Sequence, residues 1–440
     1  MLQKKINAII STVLVLFSIQ IQAQSFESSP NMRLNATGLE IGNNLPESLE
    51  VYTAEGNKIK VTDLFKAKPT VIVSGCLTCP VFLRTYPSVE AVYKDYKDKV
   101  NFYFLYKTLA HPENNGYIQP ITIEERLSHI VDAKEMLQTK IPWLADPMTN
   151  EVSSTFGLTP NSEFLFDTNG SIQYMNAWSN ATDLRKALTE LVGTSDNITT
   201  VESLNLPDVI KMSTPSEKVT IRVKVEETLI PIIVKPESDG SIYYVKLRAE
   251  VTKDLLQNGS GKLYLGFHLD PIHNVHWNNL VDPLKYEMTI LNGTNIKEAI
   301  GIAPVVSQAS DGEPREFFIE VNNWKSENQI PIKITYFACD DEDKWCKIVV
   351  QNYTLVLDAD IFAGGVIGRS FRAGGSQAGG RGQGMRAGNM IERIMSFDKN
   401  KDGLISKSEF PERMRDRFDR MDANKDGFLS KDELSNMRRR

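Results

Sequence analysis

The four cysteines of this 440-residue chain form two pairs, and the members of each pair lie close together. Cys76 and Cys79 are separated by two residues, follow the apolar run 69–74 and precede Pro80. Because proline suits the first helical turn and a helix-like apolar pattern follows, the pair should lie at a helix N-terminus. There the helix dipole lowers a thiol pKa below its usual value of about 8.5, and a second thiol resolves mixed disulfides. The spacing predicts thiol–disulfide exchange, with a structural disulfide and a metal site as alternatives.

The second pair, Cys339 and Cys346, has six intervening residues and follows the strand-like run 331–336. This separation fits a hairpin that is closed by a disulfide bond. An oxidising compartment would also favour the bond. Two roles stay open for it, a structural cross-link and a second redox-active pair.

Two acidic segments near the C-terminus, 398–409 and 422–433, match the twelve-residue EF-hand loop. Such loops supply oxygen ligands at positions 1, 3, 5, 7, 9 and 12 and need glycine at position 6 for a sharp turn. The ligand positions are Asp398, Asn400, Asp402, the Leu404 carbonyl, Ser406 and Glu409 in the first loop, and Asp422, Asn424, Asp426, the Phe428 carbonyl, Ser430 and Glu433 in the second. Position 8 is apolar in both loops, so Ile405 and Leu429 should pair through a short antiparallel bridge. The two matches predict two Ca²⁺ sites.

Three of the five histidines, His268, His273 and His276, lie close together in sequence, with Asp270 among them. Imidazole and carboxylate groups bind copper and zinc, so this cluster is a candidate transition-metal site. The alternative is a polar loop at the rim of a β domain.

These residues belong to regions of different character. Residues 1–24 combine early lysines, an apolar run and small polar residues, the order of a cleavable signal peptide. Residues 40–193 alternate strand-like and helix-like patterns, which predicts an α/β domain, whereas the short strand-like runs of residues 215–360 predict a β-sandwich. Residues 363–389 are rich in glycine and predict a flexible linker. Residues 390–440 hold the calcium loops between apolar helical faces, which predicts a small α-helical EF-hand pair.

Composition argues against nucleic-acid binding and against a membrane-spanning protein. The formal net charge of −6 gives no general basic surface for nucleic acid. The apolar run of the signal is short for a membrane span of about 20 residues, and no later segment is apolar enough for one. We therefore expect an exported protein, periplasmic or secreted. Its predicted partners are calcium and a thiol or disulfide substrate, either a protein or a small molecule.

The region 40–193 resembles the thioredoxin-fold redoxins, and among them the iodothyronine deiodinase family. Residues 75–82 read GCLTCPVF where deiodinases have Gly-Ser-x-Thr-Sec-Pro-x-Phe, so Cys79 stands in the position of selenocysteine. Residues 106–111 read YKTLAH where the family has Tyr-x-x-Glu-Ala-His, so His111 matches the family histidine. The resemblance implies a thioredoxin-like fold and a catalytic role for Cys79 and His111.

Two further features follow from the thioredoxin resemblance. Cys76 replaces the serine of deiodinases and restores a dithiol, and in thioredoxins the first cysteine of the pair attacks. The deiodinase resemblance names Cys79 as the attacking residue instead, and we take that as the expectation. The thioredoxin fold also places a cis-proline beside the active cysteines, and Pro160, just before the strand-like run 163–166, is the candidate.

The middle region resembles the N-terminal interchange domain of the DsbD thiol–disulfide reductases. The similarity lies in residues 333–339, KITYFAC, and in the ending Trp345-Cys346. It implies an immunoglobulin-like β-sandwich that carries a redox-active cysteine pair.

Together these features predict a multidomain chain: a thioredoxin-like α/β domain, an immunoglobulin-like β-sandwich and an EF-hand pair. The expected function is that of an exported, calcium-binding thiol–disulfide oxidoreductase or deiodinase-like reductase that uses Cys76 and Cys79. The alternative is a non-enzymatic, calcium-dependent binding or matrix protein built on a redoxin scaffold that has lost its activity.

Overall fold

The computed structural model describes most of the first 365 residues and a few residues of the C-terminal region. The described residues are 34–35, 37–196, 198–207, 220, 222–237, 240–290, 293–342, 344–365, 404–406, 409, 418 and 427–430. The predicted signal peptide, residues 1–24, lies outside them. The chain divides into two compact units, Met1–Gly374 and Gly375–Arg440.

The first part of the larger unit is a seven-stranded sheet covered by helices. Its strands are β1 (Glu50–Thr53), β2 (Lys58–Lys60), β3 (Thr70–Ser74), β4 (Asn101–Tyr106), β5 (Trp143–Ala145), β6 (Glu163–Phe166) and β7 (Ile172–Asn176). Its helices are α1 (Pro80–Tyr96), α2 (Ile123–Leu137), α3 (Glu151–Phe156) and α4 (Ala181–Val192). The strand order is β2-β1-β5-β4-β3-β6-β7, in which β3, β4 and β5 are parallel. This is the thioredoxin-like α/β fold that the sequence predicts.

Alternating residues of β3 explain why both faces of this sheet are covered. Val71 and Val73 pack in the cluster that contains α1, α2 and α4, whereas Ile72 packs in the cluster that contains α3. Successive side chains of a strand point to opposite faces, so an entirely apolar strand needs a cover on each side. Packing on both faces of the sheet holds the C-terminal end of β3 in place, and Cys76 and Cys79 follow shortly after it.

The second part of the larger unit is an antiparallel β region with a separate core. Its elements are β8 (Leu229–Pro236), β9 (Val245–Thr252), α5 (Lys253–Asn258), β10 (Gly261–Leu269), β11 (Val275–Asn278), β12 (Lys285–Met288), β13 (Asn295–Ile296), β14 (Ile300–Ile302), β15 (Ser310–Asp311), β16 (Arg315–Asn322), β17 (Ile330–Asp340) and β18 (Cys346–Ala359). The main path runs β13-β16-β10-β9-β8-β18-β17-β11-β15. Strand β8 pairs with β9 through Leu229–Pro231 and with β18 through its remaining residues. The strand content agrees with the sequence, while the immunoglobulin-like arrangement stays a prediction.

The long hairpin of β17 and β18 carries the predicted disulfide. Cys339 and Cys346 are opposite each other in the strand register and are bonded. Cys339 is buried and Cys346 is exposed. The expected pairing of the second cysteine pair is therefore confirmed, and its role as a cross-link or a redox pair stays open.

The two parts of the larger unit are joined by charged and apolar contacts. The Arg222 guanidinium lies 3.1 Å from the Glu113 carboxylate, and the Lys246 ammonium pairs with the Glu125 carboxylate. Ile121, just before α2, packs against the core of the β region. These contacts place the β region beside the loop that follows β4.

The start of the predicted linker is part of this folded unit. Residues 363–365 donate and accept hydrogen bonds with both parts, as described below. The expected boundary of 363–389 is therefore wrong at its first three residues, because backbone groups there bind folded partners. The remainder of that segment lies outside the described residues.

In the smaller unit, the described residues include a two-stranded sheet. Its strands are β19 (Leu404–Ser406) and β20 (Phe428–Ser430), and their register places Ile405 opposite Leu429. Both of these side chains are buried, as is Phe418. The predicted bridge between the two calcium loops is confirmed.

Candidate functional site

The dithiol lies in the short connection between β3 and α1. Cys79 is the N-cap residue of α1, and its Sγ accepts the Phe82 amide proton at 3.5 Å. Cys76 Sγ accepts the Ala110 amide proton at 3.4 Å and lies 3.4 Å from Thr78 Oγ1. Both cysteines are free, and both are buried. The sequence prediction of a cysteine pair at a helix N-terminus is thus confirmed.

Close packing brings the start of the helix to the end of the strand. A Cβ at Gly75 would lie 2.3 Å from the Phe82 ring, so only glycine fits immediately before Cys76. Pro80 is the first residue of α1, where its missing N–H leaves no helical hydrogen bond unmade.

Burial, rather than the helix terminus, dominates the acidity of Cys79. Burial raises the pKa of the Cys79 thiol to about 12, and the negative charge of Cys76 acts in the same direction. Hydrogen bonds from the amides of Phe82 and Val81 lower the pKa, but by less. The low pKa that the helix terminus predicts for at least one thiol is therefore not found at Cys79, because the cost of desolvating its thiolate exceeds the stabilisation by the helix amides.

The loop after β4 covers the cysteine motif. Asn115 Nδ2 donates to the Leu77 carbonyl at 3.1 Å, and Asn114 Nδ2 donates to the Thr78 carbonyl at 3.5 Å. The backbone is left-handed at Asn115 and at Gly116, which makes the loop turn sharply. With Cys76 and Cys79 only 2% and 1% exposed, a disulfide substrate cannot reach either sulfur while this cover is in place.

His111 lies in the same loop and is tied to the motif through its backbone. Its amide donates to Thr78 Oγ1 at 3.2 Å, and its Nδ1 lies 2.8 Å from the Gly365 carbonyl oxygen. Since a carbonyl only accepts, Nδ1 carries the proton in this arrangement. The structure therefore brings His111 beside the motif, with its ring engaged by a segment of the chain far away in sequence.

Pro160 lies in the turn before β6, as the resemblance implies, but its peptide bond is trans. No cis peptide bond occurs among the described residues, so the cis-proline expectation is wrong. The carbonyls of this turn bind a lysine instead, because Lys107 Nζ donates to the Thr159 oxygen at 2.9 Å and to the Gly157 oxygen at 2.6 Å.

Lys107 is a residue that the sequence reasoning did not single out. It follows β4, is buried, and interacts with the charges of Asp146 and Cys76. Burial lowers its pKa to about 7, although the two charges act to raise it. Its position in the sequence, directly after an apolar strand, could have identified it, because a residue there lies at the end of a buried strand, where lysine is rare.

The three histidines of the candidate transition-metal site do not converge. His268 lies 3.5 Å from Glu113, His273 lies 3.4 Å from Glu125, and His276 lies 3.0 Å from Asp341. They belong to β10, the following turn and β11, so each ring meets a carboxylate of a different element. The structure gives no support for one metal site formed by all three.

A different group gathers around His273. Ligand atoms of Glu125, Asp270 and His273 lie within 4.8 Å of one another, a spacing that also suits a metal ion. However, the Lys246 ammonium contacts Glu125 and lies 3.9 Å from Asp270, so a protein cation already pairs with these two carboxylates. This group serves as a charge cluster between the two parts of the larger unit.

The pKa values of the two carboxyl groups in the charge cluster are shifted in opposite directions. Burial raises the pKa of Asp270 to about 6, despite the opposing charge of Lys246. Burial acts in the same direction on Glu125, but hydrogen bonding to His273 and the charge of Lys246 outweigh it and lower the Glu125 pKa to about 2.

The described part of the calcium loops agrees with the ligand pattern. The Glu409 carboxylate accepts the Ser406 amide at 3.0 Å and the Ser406 hydroxyl at 2.7 Å. Gly427 has a φ of 85°, the left-handed backbone that position 6 needs. The predicted ligand positions Leu404, Phe428 and Ser430 lie on β19 and β20. The positions outside the described residues are Asp398, Asn400, Asp402, Asp422, Asn424, Asp426 and Glu433.

Comparisons with known proteins agree with these two sites. Residues 19–181 match the sequence model described as iodothyronine deiodinase, and residues 391–412 and 414–437 match that of the EF hand. The chain joins a deiodinase-like, thioredoxin-fold region to an EF-hand pair. No curated protein matches the chain.

Three solved structures resemble part of the chain at low overall similarity. A putative protein disulfide isomerase from Bacteroides thetaiotaomicron is 14% identical, with 38% of this chain and 89% of that chain covered and a TM-score of 0.26. A thiol:disulfide interchange protein from Bacteroides sp. is 16% identical, with 36% and 94% covered and a TM-score of 0.29. A secreted disulfide oxidoreductase from Mycobacterium tuberculosis is 12% identical, with 32% and 94% covered and a TM-score of 0.25.

Among the described helices, none is both long enough and apolar enough to cross a bilayer.

Proposed function

We propose that this chain is an exported, calcium-binding thiol–disulfide oxidoreductase whose reactive pair is Cys76 and Cys79. The observation that carries the proposal is the free cysteine pair between β3 and α1 of a thioredoxin-like sheet. Two thiols separated by two residues undergo intramolecular exchange readily, because the second thiol attacks before the mixed disulfide can accumulate.

The hydrogen bonds of the two sulfurs favour Cys76 as the attacking residue, contrary to the deiodinase-based expectation. Cys76 Sγ accepts the Ala110 amide proton at 3.4 Å and lies 3.4 Å from the Thr78 hydroxyl, and both groups stabilise a thiolate, whereas burial raises the pKa of Cys79. In the proposed reaction the Cys76 thiolate attacks one sulfur of a substrate disulfide, and the other sulfur leaves as a thiolate that takes up a proton. Cys79 then loses its proton and attacks the Cys76 sulfur. The bond between Cys76 and the substrate sulfur breaks, that sulfur leaves as a thiolate that takes up a proton, and the chain keeps a Cys76–Cys79 disulfide. An external dithiol then reduces the pair again and is itself oxidised to a disulfide.

The same observation makes reductive deiodination the weaker candidate. That chemistry would ask Cys79, at the position of selenocysteine, to act as a strong nucleophile. Its raised pKa opposes this role. Pro160 and Lys107 would serve the disulfide reaction by shaping the turn beside the motif, and His111 by holding the covering loop.

Single serine variants test the proposal. With the Cys79→Ser variant and an aromatic disulfide as the probe, we expect a stable mixed disulfide on Cys76, which mass spectrometry of peptides will locate. With Cys76→Ser we expect no turnover and no adduct on the timescale of the wild-type reaction. Trapping on Cys79 in the Cys76→Ser variant would reverse the order of attack. Disulfide reduction that persists in the double variant would show that the pair is not the active site.

The calcium sites are proposed to stabilise the C-terminal unit outside the cell. EF-hand modules in extracellular proteins bind with dissociation constants of about 10⁻⁴–10⁻³ M, which suits environments rich in calcium. N-terminal sequencing of the protein from its native compartment tests export, since a mature chain that begins near residue 25 is expected. A non-enzymatic binding protein is the alternative, and absence of any thiol exchange in the serine-variant experiment would favour it.

A further inference from the structure

The segment Asp360–Gly365, here called the strap, runs from the end of β18 back to the cysteine motif. The Gly365 amide donates to the Ala110 carbonyl at 3.0 Å, and the Gly365 carbonyl oxygen meets His111 Nδ1 at 2.8 Å. One residue of the covering loop therefore links the strap to the thiol, because the Ala110 amide donates to Cys76 Sγ.

The strap is bound through its backbone from two sides. On the side of the β region, the Arg248 guanidinium donates to the Ala363 and Gly364 carbonyls, each at 2.9 Å. On the side of the thioredoxin-like region, Gln119 Nε2 donates to the Phe362 carbonyl at 3.2 Å. All of these contacts are to main-chain atoms of the strap, so the main chain of another peptide can make them.

Gly364 lets the backbone of the strap lie close to the backbone of the covering loop. Its φ is +67°, and a Cβ there would lie 2.3 Å from the Leu109 carbonyl oxygen and 2.9 Å from the Ala110 carbonyl oxygen. Both atoms belong to the backbone and cannot move aside as a flexible side chain would. The strap therefore fits against the covering loop only with glycine at this position.

We propose that the strap is an intramolecular cover that fastens the loop 109–111 over Cys76, and that a disulfide-containing polypeptide enters by displacing it. This inference rests on the proposed function and adds the regulation and substrate class of the same site. The Ala110 carbonyl and the Arg248 guanidinium, which hold the strap, can then bind the main chain of the substrate. The strap leads directly into the glycine-rich segment and the calcium loops, so the cover and the calcium-binding unit are covalently connected.

The rate of thiol alkylation in the full-length, reduced protein tests the proposal. Gly364→Ala introduces a side chain at a left-handed, crowded position, which disfavours the fastened state. We expect iodoacetamide to modify Cys76 about tenfold faster or more than in the wild type. Gly312→Ala is the matched control, because a Cβ there meets no atom within 4 Å and the site is remote in sequence from the strap. Its alkylation rate should equal that of the wild type.

Arg248→Gln provides a second variant that leaves the strap sequence intact. It removes the donors to Ala363 and Gly364 and should also accelerate alkylation, while Arg248→Lys should restore part of the protection. If the Gly364→Ala variant does not fold, the alkylation rate of Cys76 in the Arg248→Gln variant tests the proposal. Wild-type alkylation rates in the folded variants would overturn the strap proposal.

Alkylation does not require the chain to reduce any disulfide. If release of the strap speeds alkylation but no disulfide is reduced, the strap is a cover over Cys76, but the proposed function fails and the disulfide-containing substrate fails with it. If disulfide reduction occurs and is equally fast with and without the strap contacts, the proposed function stands and the strap proposal fails.

Discussion

Replacement of Lys107 by methionine should flatten the dependence of stability on pH. Lys107 is 6% exposed, and burial lowers its pKa from 10.5 to about 7. Between those values the unfolded chain binds a proton that the folded chain has released. The free energy of unfolding therefore rises with pH in this window, and the contribution of Lys107 is absent in the Lys107→Met variant.

The size of the effect follows from the shift. A full proton difference is worth about 1.36 kcal/mol per pH unit, and at pH 7 the folded lysine is about half protonated. Integrated from pH 7 to pH 9, the contribution of Lys107 is about 2 kcal/mol. Loss of the donor to Gly157 and Thr159 will lower stability at every pH, so the diagnostic quantity is the slope and not the absolute value.

Urea unfolding of the reduced protein at several pH values between 7 and 9 measures that slope. Comparison of two variants cancels the titration of all groups that they share. Lys97→Met, at an exposed position, is the control and should keep the wild-type slope. An unchanged slope in Lys107→Met would show that the ammonium is not desolvated in the folded protein, and the argument from burial would be refuted.

Two further predictions concern the other charged sites. Changing Glu409 and Glu433 together to glutamine should abolish calcium binding, because each supplies the bidentate ligand at position 12; calorimetry that finds unchanged affinity would contradict the EF-hand assignment. Asp270→Asn should stabilise the protein by on the order of 2–3 kcal/mol above pH 6, because burial raises the Asp270 pKa from 3.8 to about 6 and ionisation then opposes folding. The gain should vanish below about pH 3, where the carboxyl group is protonated in both states, and a gain that is equal at all pH values would argue against this cause.

The sequence predicts local features of the site well. The apolar run before Cys76 and the proline after Cys79 place the pair between β3 and α1, and an apolar residue at position 8 of each loop places Ile405 opposite Leu429. Each of these conclusions depends on neighbours within a few residues, whose geometry is set by helix and strand periodicity.

Long-range packing accounts for what the sequence does not predict. The acidity of Cys79 is set by burial, to which the loop after β4 contributes, and not by the helix terminus alone. The three histidines are close in sequence but apart in space. They lie on a strand, a turn and a second strand, and each contacts a different carboxylate. Lys246, the cation that pairs with Glu125, is distant from it in sequence.

The pairing of β19 with β20 couples the two calcium loops energetically. Because Ile405 and Leu429 are partners in one ladder, an ion that orders the first loop also restricts the backbone of the second. The second ion then loses less conformational entropy on binding, which is positive cooperativity without any change of shape. We expect a Hill coefficient above 1 for calcium, falling towards 1 when Ile405 is replaced by glycine.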